Sequence, residues 1–120
     1  MQNLDQIRAA AALKLLPEGK PHHFDRSDVA SIPAMILTNG LLAAAAFCCE
    51  KDKKPREGMK AAFDGIATHL NQRGIISSNS LIEELSQQDS LTLQRATAEA
   101  LAFLSYLKRF ALPKKKDANS

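Results

Sequence analysis

Apolar residues recur along this chain at helical intervals. Leu4, Ile7, Ala11 and Leu15 form one stripe, opened by Asn3 and Gln6 in the order of a capping box and stopped by Pro17. Residues 17–26 hold two prolines and a glycine and predict a loop. Ser27 or Ser31 then caps a second helix, with Pro33 tolerated only in its first turn or at a kink, that carries an apolar run to about Glu50. Within it, Gly40 and the alanines from Ala43 to Ala46 predict a smooth surface for close helix packing. A charged connection follows. Pro55 restarts a helix in which Met59, Phe63, Ile66 and Leu70 share a face, with Gly74 where a C-terminal cap belongs. Ser78 or Asn79 caps a short helix with Leu81, Ile82 and Leu85, and Ser90 caps a last helix that reaches Leu112 before Pro113.

These periods predict one all-α bundle of about five helices over residues 1–112, followed by a basic, disordered tail over 113–120. Ile36, Leu37, Leu41, Phe47, Phe63, Ile66, Leu101 and Leu104 are the expected core. The length of 120 residues suits a single domain. Alanine occurs 19 times, against one Val, four Thr and one Tyr, which argues against a sandwich, a barrel or an α/β sheet. The 21 uncharged residues from Val29 to Cys49 are long enough to cross a bilayer. Ser31, Pro33, Thr38, Asn39 and Gly40 interrupt them, so a buried helix at the centre of a bundle is the better reading, with no membrane partner. The first residues lack the apolar core of a signal peptide. Cys48 and Cys49 are adjacent, so a disulfide between them would be badly strained, and reduced thiols in a cytoplasmic setting are expected.

In the last helix, Leu93, Ala96, Ala100, Leu104, Leu107 and Ala111 share one face, while Phe103, Tyr106 and Phe110 form a second stripe on its flank. Such a helix is either central and contacted on two sides, or uses Phe103, Tyr106 and Phe110 as a protein interface. The excess apolar surface is modest and predicts weak self-association of the free chain.

No catalytic constellation emerges, and no cofactor, metal or small-molecule substrate is expected. His22, His23 and Asp25 share a loop without the spacing of a metal site, and His69 reads as a boundary residue. Glu83 and Glu84 are adjacent and project in different directions. No glycine-rich phosphate loop is present. What remains is cationic. The net charge is +3, with basic residues concentrated in Lys51–Lys60 and Lys108–Ser120. Arg8 sits at the edge of the first helix's apolar stripe, where its guanidinium can meet a phosphate or an internal carboxylate. Arg8, Lys14, Lys108 and Arg109, with Lys51, Lys53, Lys54 and Arg56 as a second patch, are the cations available to an anionic partner. The aromatic–basic interleaving that reads bases is missing.

The segment IPAMILTNGLLAAAAF, Ile32 to Phe47, resembles the hallmark segment of the small α-helical subunit of the type III-B (Cmr) CRISPR effector complex. Leu4, Arg8, Ala9 and Ala12 match that family's opening helix, and Leu91, Thr92, Ala100 and YLKRFA, Tyr106 to Ala111, match its final one. Ile32 stands where the family has Leu, and Phe24 where Tyr is common. The resemblance implies a non-catalytic subunit that stacks with copies of itself in a minor filament. It also implies contacts with the other subunits and with guide RNA and target RNA through the backbone, because base pairing supplies sequence specificity. This resemblance makes the cations named above the candidate RNA-contacting residues. The small subunit of the type III-A complex, a helical adaptor that binds only protein, and a DNA-binding regulator are the rivals. The last helix is too apolar for a recognition helix.

Overall fold

The computed structural model describes residues 2–16, 26–49 and 57–111. Among them all regular secondary structure is helical, in seven segments: α1 (Leu4–Lys14), α2 (Arg26–Ala30), α3 (Ile32–Asn39), α4 (Leu41–Cys48), α5 (Glu57–Gln72), α6 (Leu81–Ser86) and α7 (Ser90–Phe110). The all-α bundle is as the periodicity predicts. The number of segments is larger because the expected second helix is divided into three.

Local chemistry accounts for several of the boundaries. Asn3 and Gln6 form a reciprocal capping box, each side chain accepting from the other residue's backbone N–H at 2.8 Å. Gly74 adopts φ +75 after α5, and the N–H groups of Gly74 and Ile75 bond back to Asn71 and Leu70. The cap of α7 is Asp89 rather than Ser90: its carboxylate accepts from the Thr92 N–H at 2.8 Å, which lowers its pKa. At α6, Ser80 occupies the cap position without a side-chain bond, and Ser77 and Ser78 instead donate to Glu84.

The break between α3 and α4 occurs at Gly40, with φ +88 and ψ 158. That region of backbone space is essentially reserved for glycine. The bend resets the helical phase. α3 turns Ile32 and Ile36 inward, and α4 turns Leu41, Ala44, Ala45 and Cys48 inward. Leu37, expected in the core, lies about 100° past Ile36 on the helix and is 74% exposed. Phe47, also expected there, stands about 100° from Cys48 and is 42% exposed. The inward positions of α4 go to small residues, and α4 packs against α5 and α6. No helix among the described residues is long and apolar enough to cross a membrane.

Ile36, Leu41, Phe63, Ile66 and Leu104 are buried as expected, and Leu101 packs at the core's edge. α7 is the central element, with α1, α2 and α5 packed along it. Phe103, expected on an interface flank, is instead fully buried and stacked on His69 at 5.0 Å between ring centroids. Tyr106 and Phe110 remain half-buried, 6.1 Å apart. Both cysteines are thiols. Cys48 is buried with its Sγ 3.6 Å from Met35 Sδ and 3.7 Å from Met59 Sδ, while burial pushes the Cys49 thiol upward.

Candidate nucleic-acid interface

The chemistry of the molecule centres on a carboxylate in the core. Glu99 lies on the buried face of α7 between Ala96 and Phe103 and is 7% exposed. Arg8 reaches it from α1 with a two-pronged contact, Nε to Oε2 at 2.8 Å and Nη2 to Oε1 at 2.9 Å. His69 reaches it from α5, Nε2 to Oε2 at 2.8 Å. Three helices are thus joined through one side chain.

The Arg8 hydrogen bonds hold Glu99 well below the usual carboxylate range, at about 2, with His69 adding to the effect against the opposing cost of burial. The same bonds raise the Arg8 guanidinium above its ordinary value. An ionised Glu99 only accepts, so His69 Nε2 donates to it. His69 Nδ1 is buried without a hydrogen-bond partner among the described residues. His69 is therefore a core residue rather than a boundary one.

A pH dependence follows from the sign of the Glu99 shift. Its pKa falls on folding, so its stabilising contribution is complete above about pH 4.5 and disappears as the pH drops from about 4.5 to about 2. Acid titration of unfolding followed by circular dichroism should show stability lost across that window. Glu99→Gln should lose less than the parent over the same range.

Of the cations expected to meet RNA, Arg8 is engaged by Glu99 and, at 3.4 Å, by Asp5, with its side chain only 20% exposed. It is an internal strut more than a surface ligand. Lys14 is exposed at the end of α1, and Lys108 and Arg109 are exposed at the end of α7. The structure does not bring these together. Arg8 meets Glu99, and Asp5 lies beside Tyr106, so α1 and α7 run antiparallel. Lys14 therefore sits at the opposite end of the pair from Lys108 and Arg109, roughly 20 Å away along the axis. Lys51, Lys53, Lys54 and Arg56, as well as His22, His23 and Asp25, lie outside the described residues. Among the described residues no His, Cys, Asp and Glu cluster could hold a metal ion.

Three residues of consequence escaped the sequence pattern. Glu99 was legible only as an acid with Ala96 and Phe103 three and four residues away. Arg26 had no local signal: its Nε donates to the Ala111 carbonyl at 3.1 Å, placing a cation at the end of α7. Arg73 is exposed just beyond α5, beside the groove that Lys14 also lines.

A small helical bundle tied by an internal ion-pair network, with exposed cations at its helix ends, is the class that fold and surface define. The chain matches the family model described as CRISPR-associated protein (Cas_Cmr5) over residues 4–112 and belongs to that family, the Cmr5-type small subunits of the type III-B CRISPR complex. No curated protein and no solved structure matches in the corresponding comparisons. Family membership separates the type III-B assignment from the type III-A rival, and it implies association with the other Cmr subunits.

Proposed function

We propose that this protein is a non-catalytic structural subunit that stacks with copies of itself in a minor filament of the Cmr complex and helps hold target RNA and the guide–target duplex through backbone contacts. The observation that carries this reading is the family match across nearly all of the chain. Exposed cations at the ends of α1 and α7 are consistent with it. Lys14, Lys108 and Arg109 are the described residues proposed to face phosphate, and Lys51, Lys53, Lys54 and Arg56 form the proposed second patch. Tyr106 and Phe110, half-buried on the flank of α7, are the proposed protein-contacting residues. Base pairing selects the target, and this subunit adds sequence-independent attraction.

The test is target-RNA binding by the assembled complex at two salt concentrations. Lys108→Ala/Arg109→Ala should weaken binding equally for any target sequence. The salt slope should fall by about 0.7 for each lost contact to a single strand. A variant complex that assembles normally, with parental affinity and slope, would show that these residues do not contact RNA. Arg8→Ala is expected to act through loss of stability instead, because its guanidinium already holds Glu99.

A further inference from the structure

Between α1 and α5 lies a groove of about 300 Å³. Ile7, Ala10 and Ala11 of α1 form its apolar wall, His69 and Gln72 face them from α5, and Lys14 and Arg73 supply its charge. Among the described residues no carboxylate lines it. Both cations are exposed, and neither makes an ion pair with a described residue. Glu99, behind the wall, is already paired with Arg8 and hydrogen-bonded to His69. The groove is therefore a positive channel with an apolar floor.

Its length argues for an extended ligand. Leu15, the neighbour of Lys14, packs on Gly65, where an added Cβ would collide with the Leu15 side chain. Arg73 follows Gly65 by eight residues, so the two charges stand roughly 10 Å apart along the helices. That spacing lets the two side chains meet separate anionic groups on one strand, and competition by inorganic phosphate separates this from a single-anion site. We propose that this groove holds a segment of single-stranded RNA, with Lys14 and Arg73 on different phosphates and the sugar or base edge against Ile7, Ala10 and Ala11. The proposal deepens the RNA-holding role above and rests on it for the identity of the polyanion. It adds Arg73, and it makes Lys14 part of a channel distinct from the end of α7.

The experiment uses the free full-length chain and a fluorescein-labelled oligouridylate, with binding followed by anisotropy over a range of salt. Lys14→Ala and Arg73→Ala should each lower the salt slope by about 0.7, the double variant by about 1.4, and Arg73→Lys should restore most of the slope. Inorganic phosphate at millimolar concentration should compete only as its ionic strength dictates. Because both side chains are exposed, thermal unfolding should stay close to parental. Unchanged slopes in both single variants, with the parent binding, would overturn the groove. So would stoichiometric displacement by phosphate, which would mark a single-anion site. A parent chain that binds no oligouridylate also overturns the groove. The measurement on the assembled complex with Lys108→Ala/Arg109→Ala decides the wider reading separately.

Discussion

Replacing Glu99 with alanine is expected to destabilise the protein by about 3 kcal/mol and to lower its thermal midpoint by roughly 10 °C. The substitution removes the one acceptor shared by Arg8 and His69. His69 is 1% exposed and cannot recover its lost bond from solvent. Arg8 keeps some access to water, which places the cost at the low end for a broken buried pair. Glu99→Gln should cost less, since its carbonyl still accepts, although its amide would face the two donors. Combining Arg8→Ala with Glu99→Ala should be less damaging than the sum of the two single changes, by about 1 kcal/mol or more, because each alone strands the other residue. A Glu99→Ala midpoint within about 2 °C of the parent would show that the network carries little stability.

Gly40→Ala is expected to cost about 2 kcal/mol. A Cβ at this position would meet nothing within 4 Å, so the penalty comes from the backbone alone: φ is +88 and ψ is 158, a conformation that residues with a side chain rarely adopt. One escape is to continue α3 straight into α4. That relieves the strain while swinging Leu41, Ala44 and Ala45 away from their inward positions. Thermal unfolding by circular dichroism should show a midpoint lower by several degrees with little change in helix content. A parental midpoint would mean that the bend is not required. The position lies inside the segment that resembles the family's hallmark. Its glycine therefore has a conformational role, and the close helix approach expected at Gly40 from sequence is not found there, since an added Cβ meets open space.

The short-range chemistry of the chain was legible from residue order. The capping box at Asn3 and Gln6 and the glycine cap at Gly74 involve residues only a few positions apart. The inward faces of α5 and α7 follow from a 3.6-residue period, so Phe63, Ile66 and Leu104 could be placed without knowing their neighbours. The resemblance carried by Ile32–Phe47 and both terminal helices pointed to the family that the match over residues 4–112 shows.

What residue order left open depends on contacts between distant segments. An uncharged run through Gly40 reads as one helix because glycine is tolerated within helices. Only packing on α5 and α6 selects the bent form, and with it the exposure of Leu37 and Phe47. Phe103 lies on the flank of the simplest apolar stripe, yet α7 is covered on more than one side and the ring stacks inside on His69. Arg8 could equally have met a phosphate or a carboxylate. The choice rests on Glu99, 91 residues along the chain, which the antiparallel packing of α1 on α7 delivers to its guanidinium. The same packing sends Lys14 and Lys108 to opposite ends of the molecule. Local periodicity records which way a side chain points from its own helix, whereas ion pairs and charge clusters depend on which helices lie alongside one another and in what direction.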